Sequence, residues 1–150
     1  MLKRNIVNAG LLILFLLYSC STDPEPINYG KDQCDHCRMT IMDNRFGAEL
    51  VTKKGKIHKF DAAECMVSYF RLGKVSTGDI EKYIVTDASE PAEFTDGTKA
   101  VYLISEKFPS PMGANLSAYG NKSAAESFQK QYGGEIKSWD ELLGYLKVKP

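Results

Sequence analysis

One stretch of the sequence, residues 45–70, decides the fold: RFGAELVTKKGKIHKFDAAECMVSYF. Two strand-like runs, the second alternating apolar and polar residues, flank a polar, glycine-containing turn at residues 53–56, which predicts a β-hairpin. Asp61 is a residue type that often caps a helix, and the segment after it has apolar residues at helical spacing. Gly73 marks the helix end. The stretch therefore predicts two strands followed by an amphipathic helix.

Strand-like and helix-like segments recur in the rest of the chain. Strands are predicted at residues 83–86, 99–104, 116–119 and from 136, and helices up to 132 and after 138. There is also a short internal similarity: residues 42–48 resemble residues 112–118, and residues 60–64 resemble residues 119–123. We therefore predict an α+β fold of two similar small strand–helix units packed together, at residues 34–75 and 80–150, each with a methionine loop.

The N-terminus has the pattern of an export signal. Lys3 and Arg4 precede an apolar run at residues 11–17 that is shorter than the ~20 residues a membrane-spanning helix needs. Residues 17–20, Leu-Tyr-Ser-Cys, resemble the bacterial lipobox, in which the cysteine becomes the lipidated first residue. We predict a signal peptide at residues 1–19, lipidation of Cys20 and a flexible tether at residues 20–33, with an uncleaved membrane anchor as the alternative. The protein is then exported and held on the periplasmic or outer side of a membrane.

Composition excludes several classes of partner and activity. The chain has 150 residues, with 19 basic and 19 acidic side chains and 43% hydrophobic residues. A balanced charge argues against nucleic acid as a partner and against an acidic membrane surface as the main one. No Ser/His/Asp arrangement, phosphate-binding loop or persuasive carboxylate pair is present, so we expect a binding protein rather than an enzyme.

Residues that bind soft metal ions are concentrated between residues 34 and 43. Thiolate, thioether and imidazole are the side-chain ligands that soft or borderline metals prefer. A distant loop, Pro109-Ser110-Pro111-Met112-Gly113, contributes one more thioether. The predicted metal ligands are Cys34, Cys37, Met39 and Met112, and the further candidates are His36, Met42 and Cys65.

The cysteines leave three chemistries open. With Cys20 lipidated, Cys34, Cys37 and Cys65 remain, so at most one disulfide forms within the chain and at least one sulfur stays free or bound. Zinc in a Cys₃His set with His36 or His58, and thiol redox chemistry at Cys34 and Cys37, are the alternatives to copper. Zinc leaves the methionines unexplained, because thioether sulfur is a poor zinc ligand and a good Cu(I) ligand.

An ordered set of motifs resembles the NosL family of copper-binding lipoproteins. The set comprises residues 34–41 (CDHCRMTI), 46–48 (FGA), 55–56 (GK), 60–66 (FDAAECM) and 111–113 (PMG), and the similarity covers most of residues 34–146. The resemblance implies an α+β fold of two similar small units with a Cu(I) site between them. It also implies that Cys37 and Met39 match the family's Cys-x-Met and that Met112 matches its Met-Gly loop.

The same resemblance implies a function. NosL-like proteins are associated with the maturation of nitrous-oxide reductase, so the expected partner is an acceptor cuproprotein or its assembly machinery. This sequence has Cys34 and His36 in addition to Cys37, which leaves open whether Cys34 joins the metal, replaces another ligand or pairs with Cys37 when the site is empty.

Overall fold

The first of two β-sheets contains the predicted hairpin. The computed structural model describes residues 21–146. The elements of the first unit are β1 (Ala48–Thr52), β2 (Ile57–Phe60), α1 (Ala63–Arg71), a 3₁₀ turn (Thr77–Asp79), β3 (Ile80–Thr86) and β4 (Phe94–Asp96). Its strands are all antiparallel, in the order β2-β1-β3-β4. Gly55, at φ 78°, closes the turn between β1 and β2, as the sequence predicts.

The second unit repeats this plan. It contains β5 (Val101–Ile104), β6 (Leu116–Tyr119), α2 (Lys122–Tyr132), β7 (Glu135–Lys137) and α3 (Trp139–Tyr145), with the strands in the order β6-β5-β7. Asn121 caps α2 by accepting a hydrogen bond from Ala124 N–H, and Ser138 forms a capping box with Glu141 at the start of α3. Both units are thus a hairpin, a helix and a third strand that pairs with the first strand of the hairpin.

This architecture confirms the predicted α+β fold of two strand–helix units. The predicted division of the chain between residues 75 and 80 does not match the strand pairing, because β3 and β4 lie after that point and pair in the first sheet. The similarity of residues 60–64 to 119–123 has a structural basis, since Phe60 and Tyr119 each end a hairpin directly before a helix. The similarity of residues 42–48 to 112–118 has no such structural basis. Residues 42–48 precede a first strand, whereas residues 112–118 enter a second one.

The two units share a core. Trp139 of α3 packs against Phe70 of α1, Tyr83 of β3 and Tyr102 of β5, with ring centroids 5.4–6.5 Å away. Ala88 N–H donates to Ala118 O across the junction. These contacts join helices and strands of both units in one large apolar cluster, and a second, smaller cluster surrounds Phe108 and Tyr119.

The segment before Cys34 is packed on the first sheet. We call residues 21–33 the N-terminal strap. Ile27 is buried in the core, Tyr29 Oη lies 3.3 Å from Thr86 Oγ1, and Lys59 Nζ donates to Pro26 O. The chain therefore joins the fold earlier than the predicted boundary at residue 34. The predicted signal peptide and Cys20 lie outside the described residues, and no helix within residues 21–146 is long and apolar enough to cross a bilayer.

Candidate metal centre

The first part of the site is a tight loop that carries Cys34 and Cys37. Cys34 N–H donates to Met39 O at 2.8 Å, and Arg38 N–H donates to Cys34 O at 2.9 Å. Arg38 adopts a positive φ of 67°, which folds the loop back on itself. Gln33 and Thr40 form an isolated antiparallel bridge at its base. The loop is thereby closed, and its two thiols face the same space.

The third sulfur comes from α1. The Sγ atoms of Cys34, Cys37 and Cys65 all lie within 4.8 Å of one another. Cys34 and Cys65 are buried, Cys37 is partly exposed, and all three are free thiols. Cys65, predicted only as a further candidate, therefore lies in the centre of the cluster together with the two cysteines of the loop.

Hydrogen bonds distinguish the three sulfurs. The Cys65 thiol and the backbone N–H groups of Cys37, Asp61 and His36 face Cys34 Sγ and favour its thiolate, which lowers the pKa of Cys34 to about 5. The bond to Cys34 and burial raise the pKa of Cys65. Burial also raises the pKa of Cys37. Of the three sulfurs, Cys34 is therefore the one whose thiolate form its surroundings favour.

The cluster fits a soft metal ion. Metal–sulfur bonds of about 2.3 Å place the sulfurs of a three-thiolate site about 4 Å apart, close to the spacing seen here. The N–H groups around Cys34 stabilise a charged sulfur, as metal-bound thiolate requires. The donor set therefore suits Cu(I) or Zn²⁺, and it does not suit hard cations that prefer oxygen.

The three candidate methionines lie at the surface. The side chains of Met39, Met42 and Met112 are 54%, 69% and 38% exposed. Met39 is linked to the cluster through its backbone, because its N–H donates to Cys37 Sγ. The structure thus brings the cysteines together in the interior and leaves the methionine side chains on exposed loops.

Two buried carboxylates hold these loops against α1. Glu64 Oε1 accepts a hydrogen bond from Ser110 Oγ in the Met112 loop. The N–H of Met42 faces Asp61 and that of Ala114 faces Glu64, and each favours the charged form of its carboxylate. The predicted capping of α1 by Asp61 is wrong. The N-cap is Ala62, without a side-chain bond, because the Asp61 carboxylate faces the loop of Met42 instead. Neither tethering role has a signal in the sequence.

The histidines lie outside the cluster. Of the described residues, the cluster contains only the three cysteines. His36 contributes its backbone N–H to Cys34 Sγ. His58 is buried on β2, with Nδ1 2.6 Å from Asp35 Oδ2, and Lys59 O accepts from Asp35 N–H at 2.8 Å. His58 therefore links the cysteine loop to the sheet, and the Cys₃His set of the zinc alternative is not assembled among these residues.

The fold and the cluster define a small α+β domain with three neighbouring cysteine thiols, a donor set able to hold a soft metal ion. A family model, NosL, matches residues 27–144, and the chain belongs to that family.

The fold is also found in a solved structure. The crystal structure of the copper chaperone NosL from Shewanella denitrificans superposes with a TM-score of 0.69 and is 23% identical in sequence. The match covers 81% of this chain and 96% of that one. Among curated protein sequences, none matches this chain.

Proposed function

We propose that this protein is a Cu(I) metallochaperone, anchored to a membrane by lipid on Cys20, that delivers copper to an exported cuproenzyme. The observation that carries the proposal is the convergence of three cysteine sulfurs beneath loops with exposed methionines. Membership of the NosL family and the fold shared with a copper chaperone support it. By the same resemblance, the acceptor is nitrous-oxide reductase or its assembly machinery.

Copper fits the donor set better than zinc does. Structural zinc sites are almost always four-coordinate, and neither histidine joins the three sulfurs of this cluster. Cu(I) is stable at lower coordination numbers and accepts thiolate and thioether ligands alike. Binding releases protons from the thiols, and the N–H groups around Cys34 favour the thiolate that the metal needs.

The exposure of the sulfurs supports transfer as well as binding. Cys37 is the partly exposed member of the cluster, and the exposed thioether of Met39 is two residues away. An incoming ligand reaches this side first, so an acceptor displaces the ligands one at a time. A lipid anchor confines donor and acceptor to one surface and raises their effective concentration.

An anaerobic titration of the reduced protein tests the metal. We expect tight Cu(I) binding in competition with a chromogenic chelator, weakened in Met39→Leu and Met112→Leu, with zinc unable to displace the copper. Tight zinc binding together with Cu(I) affinity unchanged by both methionine substitutions contradicts the proposal. Disulfide exchange by the metal-free protein at Cys34 and Cys37 supports the redox alternative instead.

A transfer experiment tests the client. Copper-loaded protein is mixed with copper-free nitrous-oxide reductase and, as the control, with an unrelated copper-free cuproprotein. Faster transfer to the reductase or to its assembly complex is expected. Equal transfer to both acceptors contradicts this choice of client and leaves Cu(I) binding intact.

A further inference from the structure

The first sheet has two ends with different surroundings. At one end, which we call the metal end, β1 begins at Ala48, opposite the last residue of β2, Phe60, beside Asp61 and the cysteine loop. At the other, the hairpin end, lies the turn at residues 53–56. The strand from Ala48 to Thr52 separates the two ends by about 13 Å.

The N-terminal strap runs from the hairpin end toward the metal end. Asp23 Oδ1 lies 3.3 Å from the Nζ of Lys82, which pairs with Val51 near the turn. Farther along, Glu25 N–H donates to Glu49 Oε2 at 3.2 Å. Tyr29 then reaches Thr86, whose N–H bonds Gly47 O at the metal end. The first described residues of the strap therefore lie toward the hairpin end.

The hairpin end is basic. Three exposed lysines, Lys53, Lys54 and Lys56, lie in the turn, and Lys53 Nζ donates to Gly78 O in the connection between α1 and β3. That connection adds the exposed Lys74. The acidic side chains there are the exposed Asp79 and Glu81, together with Asp23, which pairs with Lys82. Lysines thus outnumber carboxylates, although the whole chain has equal numbers of basic and acidic side chains.

An exposed apolar side chain accompanies these lysines. Leu72, at the end of α1 and two residues before Lys74, is 48% exposed. The other large exposed apolar side chains of the described part of the chain are Met39, Met42 and Met112, which belong to the site loops, and Tyr145 of α3. A leucine among lysines is a combination that binds membrane interfaces through apolar burial and through attraction to anionic headgroups.

We propose that the hairpin end is a docking surface for an anionic phospholipid membrane and that the metal end points away from it. The inference rests on the lipid anchorage in the proposed function, since it explains how one anchor fixes an orientation. The first described residues of the strap and the lysines lie at the same end, so the anchor places Lys54, Lys56 and Lys74 within reach of the headgroups. The cysteine cluster then faces partners in the aqueous phase.

Lysine footprinting of the full, lipidated chain tests the orientation. The protein is acetylated in detergent and in vesicles of phosphatidylethanolamine and phosphatidylglycerol, and modification is read by mass spectrometry. We expect Lys54, Lys56 and Lys74 to react about threefold or more slowly in the vesicles, because lysines held at the headgroups are less accessible to the reagent. Attraction to an anionic membrane is worth about fivefold in affinity per lysine. Lys107, beside the Phe108 that packs on Phe46 near the metal end, and Lys130 on α2 are exposed controls that should react equally.

Each outcome separates this inference from the proposed function. If the hairpin-end lysines are acetylated as fast as the control lysines while the chain floats with the vesicles, the proposed orientation is overturned and the lipid anchorage is not. That outcome is expected if the hairpin-end lysines contact another protein. A chain that does not float overturns both. Equal protection in phosphatidylcholine vesicles overturns the role of anionic lipid.

A charge variant completes the test. Lys54→Gln/Lys56→Gln/Lys74→Gln should lose the vesicle protection of Lys53, while its Cu(I) titration, which reports correct folding and the metal function separately, stays unchanged. Persistent protection of Lys53 in a variant with normal Cu(I) binding overturns the proposal.

Discussion

The surroundings of Cys34 favour its thiolate form. Four donors surround its sulfur, namely the Cys65 thiol and three backbone N–H groups, and they lower its pKa to about 5. Three of the four are backbone groups whose positions depend on the loop and on the start of α1. The affinity of the site is thus built into the backbone, and single side-chain changes around Cys34 alter it less than changes of the sulfurs themselves.

Substitution of Cys65 distinguishes a metal site with three cysteine ligands from the ligand set implied by the family resemblance, which does not include Cys65. In Cys65→Ser, we expect Cu(I) affinity to fall by more than the about 10- to 100-fold that loss of an outer partner costs. Competition with a chromogenic chelator under anaerobic conditions measures the change. Met66→Leu is the matched control, since Met66 is buried on the same helix and belongs to the core. Equal affinities of the two variants would remove Cys65 from the site.

The sequence indicates Cys34 and Cys37 through their spacing, but it conceals Cys65. A cysteine on an apolar helix face has the same pattern whether it packs or binds metal, because free cysteine is among the most buried residue types. Asp61 is misleading for a related reason. Its position before a helix favours a cap, and only the folded position of the Met42 loop reveals the competing N–H donor.

Among the elements, the strap and β1 share a buried carboxylate. Glu49, the second residue of β1, is fully buried. Its Oε2 accepts a hydrogen bond from Glu25 N–H, and Oε1 has no partner among the described residues. Burial raises the pKa of Glu49 to about 7. The folded protein therefore holds a proton there that the unfolded chain releases at lower pH.

Glu49 makes stability depend on pH. A raised pKa contributes stability that is complete below the ordinary value of 4.5 and is lost as the pH rises through about 7. Between pH 4 and pH 8, the free energy of unfolding of the unaltered protein should therefore fall by about 2–3 kcal/mol more than that of Glu49→Gln, whose amide resembles the protonated acid. Urea denaturation at both pH values measures this difference, and parallel pH profiles of the two proteins would contradict it.

The strap also shows where local patterns end. Pro24, Pro26 and Gly30 are typical of a linker, and each element of the hairpin stretch is predicted from alternation and turn residues alone. Docking of the strap depends instead on Lys59 and Thr86, which are remote in sequence. Hairpins and helices are thus predictable from nearby residues, whereas covering segments depend on the assembled sheet.

At the scale of the whole molecule, the site connects parts that are distant in the chain. The cysteine loop, α1 and the Met112 loop meet through Cys65 and Glu64, and the Met112 loop belongs to the second unit. The pairing of the two units is visible in the sequence only as the similarity of residues 60–64 and 119–123. The 11-residue loop between β5 and β6 hides the rest, since its counterpart in the first unit has four residues.

Metal binding should therefore stabilise the whole fold. Saturating Cu(I), added as a chelator-buffered complex at about 1,000 times the dissociation constant, should raise the free energy of unfolding by about 4 kcal/mol. Thermal or urea denaturation under anaerobic conditions measures the gain. The Cys65→Ser variant at the same Cu(I) concentration is the control and should gain much less. An unchanged transition in the unaltered protein would mean that folded and unfolded chains bind copper equally.

Trp139 gives the molecule a built-in optical reporter. It is the sole tryptophan of the chain, and its indole lies at the junction of the two units, 5.4 Å from Tyr83 and 6.1 Å from Tyr102. Energy transfer from these tyrosines to the indole requires that α3, β3 and β5 remain together. Its emission spectrum therefore records, without a label, whether the two units separate when copper enters or leaves.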